Sequence, residues 1–371
     1  MAIRTFRHLN TLRGDNRASV AGGVYGSIMT IDLIRSPARR SAALAGALCL
    51  VLAAVSPVPA AADPGTPPGA PPGVCDTGTP GGPPLPGTAP AATRLLGGFS
   101  FLEGPVWIAG AGQLLVSDMS PATGAQQVQP STIHRLVPPA RAGTFVGASG
   151  SNGLALSPDG QQVIAATHDS RTVSAFRLSD GARTVVASGY QGRAFNSPND
   201  VTVRGDGVVY FTDPNFQRGR RADEMGGRTN VFRVVNGQVF LVDGTVRQPN
   251  GIALSPDGRV LYVGAYGENR IYAYAVQPDG STGARSVFAS IATPDGVTVD
   301  CAGNVYWVSN GEGRVHVFSP AGVELGTISS GAGATNVAFG GSGRRTLFIT
   351  AGRTGDYGVY GIELGVPGYP Y

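Results

Sequence analysis

Six short stretches place an oxygen-bearing side chain at the same point of a recurring pattern. They are Glu103 in LEGPVWIAGAG, Asn152 in SNGLALSPDG, Asn199 in PNDVTVRGDG, Asn250 in PNGIALSPDG, Asp295 in PDGVTVDCAG and Asn336 in TNVAFGGSGR. Singly, Pro-Asn-Gly is turn chemistry, because Asn and Gly tolerate φ > 0 and Pro presets φ. Six copies in register, 41 to 51 residues apart, point further, because a ring of repeats gathers equivalent positions around one axis. Glu103 and Asp295 with neutral amide oxygens then make a hard-oxygen cage of charge about −2, which suits Ca²⁺. His and Cys are missing from these positions, which argues against zinc. A purely structural reading is that each Asn caps its own turn. That leaves Glu103 and Asp295 unexplained, since two like charges across a narrow channel repel without a cation.

The elements that must position these residues are strands. GIALSP reads as an inner strand, RVLYVGAY as the second, RIYAYAV as the third, with an outer strand near ARSVFAS. No helical period persists. Six such units predict an all-β fold, a six-bladed β-propeller with one central metal site over residues 93–371. An open β-solenoid is the structural alternative, although its repeats are usually shorter. In the propeller the axial residues open the inner strands at one rim, and the turns between second and third strands share that rim. One such turn, ATHDSRTVSAF, carries His168 and Asp169; the longest, DPNFQRGRRADEMGG, carries Arg218, Arg220 and Arg221. His168 is a candidate for binding substrate oxygens or an ordinary turn residue. Arg218 is a candidate for meeting a substrate carboxylate from a flap, against the alternative of a solvated charged loop. Trp107 and Trp307 are expected in the core, and His134 and His316 need no role.

The formal net charge of +4 does not indicate a polyanion partner. Residues 1–62 hold seven Arg and two Asp, so the remainder is near −1, and nothing favours nucleic acid. Arg35, Arg39 and Arg40 precede the apolar run SAALAGALCLVLAAV and then PAAAD, which is the order of a secretory leader cut after Ala62. Residues 1–28 are expected to be an over-long start and 29–62 a signal peptide, delivering the chain outside the cell or to the cell envelope without stable membrane insertion. Arg39-Arg40 keeps twin-arginine export open. Cys49 inside the apolar run argues against a lipoprotein anchor. Residues 63–92, rich in Pro and Gly, are expected to be a linker. Cys75 and Cys301 remain, either as one disulfide or as a free thiol plus a packed core cysteine. Cys301 lies six residues beyond Asp295, which places it toward the opposite rim.

FLEGPVW, NSPNDVTVRGDGVVYFTDP, QPNGIALSPDGRVLYVG and PDGVTVDCAGNVYWVS occur in order and together resemble the senescence-marker-protein/gluconolactonase family over about residues 93–371. The resemblance implies a six-bladed propeller with one divalent ion, Ca²⁺, and a monomeric hydrolase that opens small lactones. By motif it implies Glu103, Asn199, Asn250 and Asp295 as metal ligands, and Asp295 as the family-like candidate for general base. Roles for Asp295 as nucleophile or as ligand alone stay open. Asn152 is implied as a pocket residue, with Asn336 a weaker match. Rival readings are an ester hydrolase of organophosphate type on the same site and a propeller that binds protein or glycan without catalysis. The two axial carboxylates favour an enzyme, because a binding module has no reason to keep them.

Overall fold

A computed structural model describes Cys75 and residues 82–87, 89–331 and 333–370 of the chain. The expected over-long start and leader lie outside the described residues, as does most of the expected linker. Six four-stranded antiparallel sheets lie within the described residues: five span 102–146, 151–187, 201–243, 249–289 and 294–329, and the sixth takes three strands from 333–363 and one from 93–99. Together they make an all-β, six-bladed propeller.

The fourth blade runs Pro249–Leu254, Val260–Ala265, Arg270–Val276 and Thr282–Ala289 from the axis outward. Its inner strand is buried at all six positions, because neighbouring blades cover both faces. Its outer strand is mostly exposed or half-exposed. That gradient explains why GIAL is continuously apolar and small while ARSVFAS mixes charge with bulk.

The ring closes through a strand that the repeat count does not announce. Thr93–Phe99 precedes the first blade, yet it pairs antiparallel with Asp356–Glu363 as the outermost strand of the last. The first strand among the described residues therefore completes the final sheet, and the ring has no free seam. Part of the expected linker also joins the fold. Leu85 is buried with Tyr306, Val308 and Leu347, and Ala92 N–H donates to the Ser329 carbonyl at 2.8 Å. Leu85, backbone bonds from Ser329 to Pro90 and from Gly365 to Pro84, and the Cys75 disulfide described below together anchor that end.

The core lies between blades. Phe195, Phe211 and Phe232 meet with ring centroids 5.0 to 5.4 Å apart where the second and third blades join. Burying each is worth roughly 1.5–3 kcal/mol. Trp307 is fully buried, and Trp107 stacks on Phe348 at 5.7 Å across the joint between first and last blades. Cys75 and Cys301 form a disulfide with a Cα–Cα distance of 5.3 Å. Cys301 sits in the turn after the inner strand Pro294–Val299, on the rim opposite Asp295.

Candidate functional site

Five of the six inner strands carry a register shift where the axial motif sits: between Glu103 and Val106, Ser151 and Leu154, Pro249 and Ile252, Pro294 and Val297, and Ala334 and Asn336. A bulge bends its strand and re-aims the side chain at that point. It also brings neighbouring inner strands into backbone contact, and here the glycines matter. A Cβ on Gly251 would lie 2.0 Å from the Asp295 carbonyl oxygen. A Cβ on Gly104, whose φ is +49°, would lie 2.1 Å from that of Asn152. In the four motifs that carry it, this glycine thus serves less as a turn residue than as the bare shoulder against which the next blade leans.

Glu103, Asn152, Asn199, Asn250, Asp295 and Asn336 therefore occupy equivalent places at one rim of the axis, each between 2 % and 6 % exposed. Asn336 Nδ2 donates to Glu103 Oε2 at 3.3 Å, while its Oδ1 accepts the Val337 N–H at 2.8 Å. One donor and one acceptor of that amide are thereby engaged, and Asn336 holds the Glu103 carboxylate. Asn250 and Asn310 hydrogen-bond the Asp295 carboxylate. Asn152 Nδ2 is buried with no hydrogen-bond partner.

A third carboxylate stands with these two. Asp200 follows Asn199 and is buried, with Oδ1 accepting Val201 N–H at 3.0 Å and Oδ2 accepting Ile252 N–H from the next blade at 3.2 Å. The sequence reading missed it, although a signal was present. In four of the six motifs the residue after the axial one is Gly; in the third it is Asp200, which fills the shoulder with a side chain that bonds the next blade directly.

The electrostatics are those of crowded, dry carboxylates. Burial and the charge on Asp200 push Glu103 up to about 8. Burial pushes Asp200 up to about 7, and burial with the charges of Glu103 and Asp200 holds Asp295 well above the usual range. Among the described residues, the main groups acting on the three include no guanidinium or imidazole. Buried charge without a counter-charge is costly, and a divalent cation among these oxygens supplies one. Among the described residues no three His, Cys, Asp or Glu side chains converge closely enough to hold an ion by themselves. Asparagine oxygens must complete any shell, and a mixed carboxylate and amide set fits a hard cation of the Ca²⁺ type.

Below this ring the channel continues as a cavity of about 50 Å³, lined by Asp200, Thr202, Thr298 and Asn336 and reaching Arg344 and Tyr369 near the far rim. It has room for a few waters and not for a lactone.

The other expected contacts at the rim of Glu103 and Asp295 turn out to be walls. His168 is fully buried, its Nε2–H donates to the Gln129 carbonyl at 2.9 Å, and burial lowers it to about 4. It is a neutral strut beneath the loop of the first blade, closed to substrate. Arg218 is held by Asp223 at 3.1 Å and by Asn196 Oδ1 at 3.4 Å, and Arg221 Nη1 donates to the Asp169 carbonyl at 2.6 Å. Gly219, with φ +62°, packs against the carbonyls of Gln126 and Gln127. The loop between Val209–Asp213 and Asn230–Val235 is thus tied to both preceding blades, and Arg218 has its carboxylate within the chain. Phe216 and Tyr266 meet edge to face at 5.4 Å, and the Asp295 charge contributes to holding Tyr266 above its ordinary range after burial.

Six blades around an axis that gathers buried carboxylates and asparagines define a six-bladed β-propeller with a polar axial site. The chain belongs to the SMP-30/gluconolactonase/LRE-like family, whose pattern matches residues 101–353. A gluconolactonase from Zymomonas mobilis is 33 % identical over 278 residues, 67 % of this chain and 75 % of that protein. Lactonohydrolase oryL from Aspergillus oryzae is 28 % identical, covering 51 % of this chain and 49 % of that one. Among solved structures, a Xanthomonas campestris gluconolactonase superposes with a TM-score of 0.63 at 26 % identity, over 76 % of this chain and 98 % of its own. The calcium-binding protein regucalcin from Agrobacterium tumefaciens shares the fold at 21 % identity, with a TM-score of 0.61, over 77 % of this chain and all of its own.

Proposed function

We propose that this chain is an exported, Ca²⁺-dependent hydrolase that opens small lactones at the rim of Glu103 and Asp295. The observation that carries the reading is the burial of three carboxylates at the axis with asparagine oxygens beside them and, among the described residues, no cationic side chain among the main groups acting on them. Glu103, Asn199, Asn250 and Asp295 would hold the ion. When bound, such a cation polarises the lactone carbonyl and offsets the charge that develops on its oxygen. Asp295, oriented by Asn250 and Asn310, takes a proton from the attacking water. The water oxygen bonds to the acyl carbon, the ring C–O bond breaks, Asp295 returns its proton to the departing ring oxygen, and the product is a hydroxy acid. The tied loop at 214–229 and the neutral His168 keep the wall fixed, while Phe216 and Tyr266 offer an apolar edge beside Asp295. Gluconolactonase relatives support a sugar-type lactone.

Export is supported by the leader-like order of residues 29–62 and by the Cys75–Cys301 disulfide, which persists in an oxidising compartment. The test is turnover of δ- and γ-lactones beside a phosphotriester, by one preparation in Ca²⁺. Faster lactone opening supports the reading, and a preference for the phosphotriester replaces it with the organophosphate-type alternative.

A further inference from the structure

The four expected ligands are not held alike. Glu103, Asn250 and Asp295 lie inside their inner strands, Leu102–Ile108, Pro249–Leu254 and Pro294–Val299. Asn199 lies two residues before its strand, Val201–Val203, which is only three residues long. On its far side two backbone bonds link Asn199 and Asp200 to Thr212. On its near side, residues 194–197 belong to no strand, and side chains take the place of a ladder.

Asp213 is the centre of that substitute. It ends the strand Val209–Asp213 and is wholly buried. Its Oδ2 accepts the Asn196 N–H at 2.8 Å and its Oδ1 the Ser197 N–H at 2.9 Å. Ser197 Oγ donates to the Pro214 carbonyl at 2.7 Å. One residue earlier, Arg171 donates to the carbonyls of Ala194 and Phe195, and Glu224 pairs with Arg171 while accepting the Ala194 N–H at 2.8 Å. Between Ser197 and Asn199 stands only Pro198, whose ring fixes φ, so the placement of Ser197 passes to Asn199 with little slack.

We propose that Asp213 is a positioning residue for the metal site: by clamping two consecutive amides it fixes the arm that carries Asn199 and so sets the affinity for the cation. The inference rests on the reading of Asn199 as a ligand. Its chemistry is specific to a carboxylate. Two N–H groups converge on two oxygens, and the side-chain amide of Asn could accept only one of them while turning its own N–H₂ on the other. Partners that orient metal ligands from behind typically change affinity or activity by about 10–100-fold when altered.

The test is calorimetric titration of the chelator-treated full chain with Ca²⁺, for wild type and Asp213→Asn, with circular dichroism to follow folding. The expected result is a Kd raised about 10–100-fold, with kcat recovering at saturating Ca²⁺, a split that general destabilisation does not produce. An unchanged Kd in a folded Asp213→Asn protein, beside a wild type that binds Ca²⁺, overturns the positioning role alone. A wild type without affinity for Ca²⁺ overturns both this inference and the metal reading beneath it. Should Asp213→Asn not fold, Glu224→Gln decides, because it loosens the same segment from its more exposed end: a Kd raised several-fold supports the role and an equal Kd overturns it.

Discussion

Asn336 and Glu103 are 233 residues apart, and the side-chain amide of one donates to the carboxylate of the other at 3.3 Å. The bond joins the last inner strand to the first, beside the seam that the N-terminal strand closes on the outside of the ring. The same joint carries a second bond, Thr335 Oγ1 to the Leu102 carbonyl at 2.7 Å. Closure is therefore made at the axis as well as at the edge, and one of its members holds an expected ligand.

Asn336→Ala removes the donor from a buried carboxylate and leaves the Val337 N–H without its acceptor. Losing a partner in a buried pair costs about 1–3 kcal/mol. Chemical denaturation of the variant should show a loss of that order, with Ca²⁺ affinity reduced several-fold in calorimetry. Equal stability and equal affinity would mean that the bond contributes nothing to either.

Gly251→Ala tests the shoulder contact. A methyl group 2.0 Å from the Asp295 carbonyl oxygen cannot be accommodated without moving backbone, and overpacking of this kind costs about 1–3 kcal/mol. Because the strand that must move bears Asp295, lactone hydrolysis should fall at least about tenfold, the size of a displaced reacting group. Gly283→Ala is the control, since its Cβ would meet its nearest neighbour at an ordinary 3.9 Å. Retained activity in Gly251→Ala would refute the close-approach account of the repeated glycines.

His168 predicts a pH effect of definite sign. Burial holds it neutral in the folded protein down to about 4, whereas an unfolded histidine takes a proton near 6.5. The folded state binds fewer protons in that interval, so the stability contributed by His168 is fully present above about 6.5 and is lost as pH falls toward 4. The difference amounts to about 3 kcal/mol. In His168→Gln, which keeps a donor for the Gln129 carbonyl, urea midpoints at pH 7 and pH 4.5 should lie closer together than in wild type. Parallel losses in the two proteins would show that His168 does not carry the effect.

The repeat made the fold legible. Glu103, Asn152, Asn199, Asn250, Asp295 and Asn336 stand in one column of the sequence because they stand around one axis of the ring, and a strand's local polarity was enough to parse the fourth blade. Legibility ended where function departs from the repeat. Asp200 hides in the glycine column. Asp213 lies in TDP, where an aspartate before a proline looks like an ordinary strand end, and its partners Asn196 and Ser197 are 17 and 16 residues away. Arg218 looked available because sequence shows its charge and not Asp223 folded back on it. The strand Thr93–Phe99 has no repeat to mark it, since its partner is the far end of the chain.

The most direct measurement is the rate of lactone hydrolysis by chelator-treated protein before and after Ca²⁺ is returned, with Asp295→Asn run alongside. The account predicts that chelation abolishes turnover, that Ca²⁺ restores it, and that Asp295→Asn remains at least about 100-fold slower under saturating Ca²⁺. Full activity in the presence of chelator, or an Asp295→Asn protein as fast as wild type, would contradict it.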